Sequence, residues 1–150
     1  MVAMSVFQLR AQSTGMTENH PNISLMKQLD LRNIAAAADL FAPDVVWHYF
    51  NPNLPELQGD YVGLEGINSF FTTIGALSKG TFKLEPILVT AMGDELVVTH
   101  TRNTMTLNDR SVAVDAVAVW RIVSGRITEV WDIPTAYTMA QPQAVDDRQE

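Results

Sequence analysis

Val119-Trp120-Arg121-Ile122-Val123-Ser124-Gly125-Arg126-Ile127-Thr128-Glu129-Val130-Trp131-Asp132 is the stretch whose reading decides the fold. Two runs rich in β-branched and aromatic residues flank Ser124-Gly125, the signature of a hairpin. Because strand side chains alternate between faces, the form of the turn decides which residues meet. A two-residue loop, Ser124-Gly125, pairs Val117 with Asp132. A three-residue loop, Val123-Ser124-Gly125 with Gly125 left-handed in a bulge, pairs Ile122 with Arg126 and Ala116 with Asp132. The second is preferred, since Ser-Gly lacks the Asn or Asp that the tightest turn favours first, while a third-position glycine suits the bulged form. Thr128, Val130 and Asp132 then share a face with Ala116, Ala118 and Trp120. A packed core would fill the space opposite a carboxylate, so two alanines there predict a cavity. The opposite face carries Val117, Val119, Arg121, Ile127, Glu129 and Trp131, and its apolar content suits a homodimer through the outer sheet face.

Upstream of this hairpin the chain reads as strand and turn from Gly80 onward. Strands are predicted at 81–91, 95–105, 111–123 and 126–133, separated by Met92-Gly93-Asp94, Asn108-Asp109 and Ser124-Gly125. An earlier strand, 44–50, ends at Asn51-Pro52-Asn53-Leu54-Pro55. Helical spacing appears three times: in Leu25, Met26 and Leu29; in an alanine-rich segment, 34–41, with Asn33 as N-cap; and in Leu64, Ile67, Phe70, Phe71, Ile74 and Leu77 beyond Gly63. Helices gathered before a meander of strands define an α+β domain with helices on one face of an antiparallel sheet. Residues 1–21 read as a loosely packed arm, 22–137 as the domain and 138–150 as a polar tail.

Composition narrows the function. The 150 residues are 47% hydrophobic, enough for one buried core. There is no cysteine, which excludes disulfides, thiolate metal sites and cysteine nucleophiles. A net charge of −7 without a basic cluster argues against nucleic acid or an anionic membrane surface as partner. The start of the chain lacks a charged leader with an apolar core, and no run reaches the ~18 apolar residues of a membrane span, so a cytoplasmic location is expected. His, Asp and Glu show no metal-ligand spacing, and neither a nucleophile elbow nor a phosphate-binding glycine loop occurs. A metal-free, cofactor-free protein is expected.

The 119–132 hairpin resembles the C-terminal hairpin of SnoaL-like proteins in the nuclear transport factor two-like superfamily. Leu40-Phe41-Ala42-Pro43-Asp44 before the first strand and Gly63-Leu64-Glu65-Gly66-Ile67 opening the third helix resemble it too, and the likeness spans roughly residues 22–137. The resemblance implies a cystatin-like cone, a strongly curved antiparallel sheet with helices packed on its concave face around a pocket. In SnoaL-like cyclases an aspartate following a Gly-Lys-Ile triplet is the acid/base residue, and Asp132 stands there after Gly125-Arg126-Ile127. Pro134 also agrees. In limonene epoxide hydrolases the matching aspartate helps activate water. Other family groups are replaced: the cyclases' histidine and the ketosteroid isomerases' second acid fall on Ala118, and the isomerases' tyrosine and base fall on Leu25 and Tyr49. The hydrolases' arginine and aspartate fall on Thr101 and Asn103, and their water-binding tyrosine and asparagine on Trp47 and Tyr49.

These readings select the candidate residues. Asp132 is the proposed general acid/base, its pKa expected to be raised by burial. Tyr49 and Asn103 are expected to hold polar atoms or water. Trp47, Phe50, Tyr61, Phe70, Trp120 and Val130 are expected to line the substrate pocket, while His48 and His100 are read as structural. The function implied is a cofactor-independent acid/base enzyme on a small hydrophobic molecule, of cyclase, lyase/isomerase or epoxide-hydrolase type. A noncatalytic carrier of a lipophilic ligand and a dimeric interaction domain are the alternatives.

Overall fold

His20 and Pro21, read from sequence as the end of an arm, instead start the first helix. Helix α1, Pro21–Gln28, has proline in its first turn, and the His20 ring accepts from the Asn22 amide at Nδ1 (3.1 Å). Nε2 therefore carries the proton and donates to the Gly93 carbonyl (2.9 Å), while the Asn22 side chain donates to the Asp94 carbonyl (3.0 Å). Two side chains thus fasten α1 to a turn some seventy residues away. The computed structural model describes residues 19–135, so the rest of the predicted arm and the polar tail lie outside the described residues.

Asn33 caps the second helix as expected, its Oδ1 accepting from the Ala36 amide (3.3 Å). That helix, Ile34–Leu40, is 3₁₀ rather than α. Three residues per turn set Ile34 and Ala37 on one side, and both are buried. Helix α2, Gly63–Leu77, buries Ile67, Phe70 and Ile74, the middle of the predicted stripe. It can lie against the strand before it because Gly66 has no side chain: a Cβ there would meet the Tyr61 carbonyl carbon at 3.0 Å.

Six strands form one sheet: β1 (Phe41–Tyr49), β2 (Gly59–Val62), β3 (Lys83–Met92), β4 (Leu96–Leu107), β5 (Arg110–Val123) and β6 (Arg126–Pro134), in the order β2-β1-β6-β5-β4-β3. The fold class is α+β, as predicted. The sheet is mixed, however, because β1 runs parallel to β6 while every other neighbouring pair is antiparallel. Strand β2 was not predicted; four residues opening on glycine give almost no strand signal. Register breaks between Phe41 and Val46, between Pro86 and Leu88, and between Arg121 and Ile122 bend the sheet around α2.

The hairpin between β5 and β6 follows neither reading in full. Its loop has two residues, Ser124 (φ 52°) and Gly125 (φ 79°), both left-handed, with Val123 opposite Arg126. Thr128 is then inserted as a bulge: Ile122 faces Ile127, and Arg121 faces Glu129. Asp132 consequently lies opposite Ala118, not Ala116. The two-residue loop also turns Ile127 inward opposite Ile122, where it is fully buried rather than on the outer face as expected. Burial of both Ile122 and Ile127 outweighs placing Ser124 at positive φ.

The core is aromatic at its centre. Phe70 packs on Tyr49 (ring centroids 4.7 Å), Phe71 (5.0 Å), Tyr61 (5.1 Å) and Trp47 (5.9 Å), and Trp47 meets Trp120 edge-on at 5.4 Å. Truncating Phe70 to alanine would remove about 3–5 kcal/mol. The outer face is polar by contrast. The His48 ring bonds Asp60 and Glu129 (both 2.7 Å) and stacks on Trp131, Arg102 and His100 share Asp115, and Arg121 pairs with Glu95. Partial burial alone would lower the His48 pKa, but the two carboxylates outweigh it and hold the pKa above the ordinary value. Neither His48 nor His100 belongs to the cavity described next. Among the described residues no helix is long and apolar enough to cross a membrane.

Candidate active site

Strand register places Asp132 at the middle of one inward-facing row. Across the sheet that row reads Gly59, Tyr49, Asp132, Ala118, Thr99, Val89. Tyr49 is the direct neighbour on one side and the alanine methyl of Ala118 the neighbour on the other. The Asp132 main chain is held by the Phe50 amide, which donates to its carbonyl (3.1 Å). The carboxyl group thus has a fixed origin and an open flank.

A cavity occupies that flank. Its walls include Asp132, Tyr49, Trp47, Phe70, Trp120 and Asn103, six of the nine residues predicted for the site. It measures about 40 Å³, narrower than the alanines suggested because the aromatic rings fill most of the interior. Roughly 10–15 Å³ suffices for one water, so the space takes a few atoms, not a whole multi-ring molecule.

Burial pushes the Asp132 carboxyl pKa up to about 7, and the Trp47 indole only partly counteracts it. Asp132 keeps part of its surface accessible and lines the cavity, while protein atoms enclose the rest of the group. The Trp47 N–H has no hydrogen-bond partner at normal geometry, although it lies near enough to Asp132 to favour the charged form. The Asn103 side-chain oxygen is likewise buried without a partner. Both residues line the cavity, and a shift of either side chain that brought its unpaired atom to a polar ligand atom or water there would remove the penalty of leaving it unpaired.

Tyr49 is positioned by a residue the sequence reading used only as a turn former. Asn51, 2% exposed, donates from its side chain to the Tyr49 hydroxyl (2.9 Å), and its own oxygen is fixed by the Asn53 amide (2.9 Å). The phenol oxygen is therefore engaged as an acceptor, and its proton is left for a group in the cavity. Burial raises the Tyr49 pKa to about 12, the Asn51 bond opposes this, and the charges of Asp132 and Tyr61 add to it. The phenol stays neutral, with its O–H available to donate. The signal for Asn51 was its spacing: two residues after Tyr49, on the same face of an extended segment. Thr99 was also missed; it accepts from the Trp120 indole (3.0 Å), setting that ring edge-on to Trp47.

Three predicted wall residues are corrected. Phe50, 59% exposed, points away just beyond the end of β1. Tyr61 turns its hydroxyl to the Leu57 carbonyl (2.6 Å) and backs Phe70 from behind. Val130, flanked in register by Trp47 and Trp120, is fully buried and does not line the cavity. As expected, Thr101 and Asn103 face inward while His100 and Arg102 face out to Asp115. Among the described residues no group of three or more His, Asp or Glu side chains is placed to hold a metal ion.

Comparison with known proteins agrees with this architecture. The family model for the SnoaL-like domain matches residues 24–130, and the chain belongs to that family. Asp132 stands two residues beyond the matched span. No curated protein has a matching sequence. Among solved structures, Bal32a from a soil-derived mobile gene cassette is similar with a TM-score of 0.68 and 22% identity, covering 80% of this chain and 93% of that one. TerC, co-crystallised with polyporic acid, gives a TM-score of 0.64 and 23% identity over 75% of this chain and 90% of that one. A protein with a cystatin-like fold from Xanthomonas campestris gives 0.59 and 21% over 75% and 95%. These likenesses establish the fold.

Proposed function

We propose that this protein is a cofactor-independent acid/base enzyme that moves a proton on a small, largely apolar carbonyl compound, with Asp132 as the base. The observation that carries this reading is a buried carboxyl group on the wall of a cavity, beside Tyr49 and opposite Ala118, a setting that pushes its pKa up to about 7. At neutral pH such a group is part ionised and can both take and return a proton. The Tyr49 hydroxyl and the Trp47 N–H supply donors for a carbonyl oxygen on which negative charge develops when a neighbouring C–H is deprotonated. Returning that proton elsewhere is an isomerisation. Attack of the carbanion on a second carbonyl within the molecule is a cyclisation. The SnoaL-like family includes cyclases and isomerases, which supports the class without selecting between them.

Ala118 favours a second reading. Where family enzymes carry a histidine or a second acid, this chain presents a methyl group directly opposite Asp132, and a pocket with a single titrating group also suits a carrier of small lipophiles. Turnover of a panel of β-dicarbonyl and polyketide-like ketones, with Asp132→Asn as control, separates the two. Catalysis lost in Asp132→Asn supports the enzyme; binding without turnover in either protein supports the carrier.

We also propose a homodimer through the outer sheet face. Val117 and Ile133 are cross-strand neighbours there, 41% and 49% exposed, and form an apolar centre among the ion pairs.

A further inference from the structure

We propose that the ligand extends out of the Asp132 cavity into a larger groove beside it, and is therefore a carbonyl compound with an elongated apolar body. This deepens the reading above and rests on it only for which end of the molecule lies inward.

The inner cavity, about 40 Å³, is far below the ~300–1,000 Å³ of ordinary small-molecule sites. A groove of about 480 Å³ adjoins it between the 3₁₀ helix, α2 and the start of β3. Leu31, Phe71, Phe82 and Leu84 belong to the walls of both spaces. All four are apolar, and Phe71, Phe82 and Leu84 are only partly buried, so rotation of these side chains joins the two hollows without breaking a side-chain hydrogen bond. The result is a polar end at Asp132, Trp47 and Asn103 and a trough leading away from it whose apolar wall is Leu31, Ile34, Phe71, Phe82 and Leu84, with Arg32, Asn68, Thr72 and Lys83 also lining it.

Gly75 marks the trough. It lies within α2 and lines the groove, its φ is not positive, and a Cβ built on it meets nothing within 4 Å. Neither backbone conformation nor close packing requires glycine there, although glycine inside a helix costs about 1 kcal/mol relative to alanine. What glycine does leave is depth in the groove.

The test is a series of 2-alkanones from 2-butanone to 2-decanone, titrated into the full chain and followed by tryptophan fluorescence, since Trp47 and Trp120 border the inner cavity. In the wild type the Kd should fall about fourfold for each methylene that enters the groove. Gly75→Leu fills the trough and improves helix propensity, so it should stay folded, bind 2-butanone as the wild type does, and bind 2-decanone at least about tenfold more weakly. Thr72→Trp, which blocks the same groove from its solvent edge, should act likewise, and Gly75→Ala should change little. Asp132→Asn should keep the chain-length dependence, so loss of turnover in that variant leaves this inference standing. Affinity independent of chain length, unweakened 2-decanone binding in both blocking variants, or no binding by any member of the series would overturn it.

Discussion

Tyr49 and Asp132 are direct partners across the parallel pair of strands β1 and β6. The pairing sets a phenol that stays protonated beside a carboxyl group poised near neutrality, from adjacent strands of one sheet. Under the proposed function, proton donor and proton acceptor would be fixed by backbone register rather than by flexible loops, the arrangement that keeps a site preorganised. Asn51 on one side and Ala118 on the other complete it: one orients the phenol, the other keeps the carboxyl flank open.

Replacing Asp132 with Asn keeps the shape and removes the base. Turnover should fall by about 10²–10⁴-fold. In the wild type kcat/KM should rise with pH through a midpoint near 7, because the base acts only when ionised. A flat profile between pH 5 and 9 would refute the assignment.

Tyr49→Phe retains the ring packed on Phe70 and loses the donor. It should lower kcat by about 10²-fold with little change in KM, as loss of an oxyanion donor does. Asn51→Leu should give a smaller loss, about tenfold, by releasing the phenol. Since both act through one hydroxyl, the double variant should be no worse than Tyr49→Phe alone; additive losses would place Asn51 in a separate role.

Stability carries its own signature. The folded pKa of Asp132 is raised, so the folded state binds its proton more tightly than the unfolded state does. The carboxyl is no burden below about pH 4, and the destabilisation grows as pH rises through about 7. Asp132→Asn should therefore match the wild type in thermal stability near pH 4 and exceed it increasingly toward pH 8, by up to roughly 4 kcal/mol before allowance for water entering the cavity. Melting curves at four or five pH values check this, and an advantage for the wild type at pH 8 would contradict it.

The outer face gives a prediction independent of the cavity. Val117→Lys combined with Ile133→Lys places charges at the centre of the proposed interface without touching an inward side chain. Sedimentation should show a dimer for the wild type and a monomer for the double variant, each retaining its far-ultraviolet circular dichroism. A monomeric wild type would dismiss the interface.

Much of this was legible in the chain because strands and helices announce themselves by period. The alternation Trp47-His48-Tyr49 and the alternation Thr101-Arg102-Asn103 sort their side chains onto the two faces as expected. What failed was phase. Ser124 occupies a left-handed position that its residue type disfavours, and the bulge at Thr128 lets Ile127 before it and Val130 after it both be buried, a tertiary gain that local turn chemistry does not express. The two departures each shift the register by one residue in the same direction, which is why Asp132 still faces the alanine side while its partner moves two residues, from Ala116 to Ala118. Strand β2 and the Asn51 contact escaped for a different reason. Each depends on a neighbour distant in sequence or on a side chain whose local role, making a turn, is equally satisfied. Phe50 and Tyr61 were placed by their aromatic side chains and Val130 by the face it shares with Asp132, and neither signal tells a wall from what lies outside it.

The central claim is the proton affinity of one carboxyl group. Carbon-13 labelling of aspartate, with the Asp132 side-chain signal assigned by its loss in Asp132→Asn, allows that group to be titrated directly by NMR. A midpoint near 7 is the predicted result; a midpoint near the ordinary value of 3.8 would mean the carboxylate is solvated and would contradict the account.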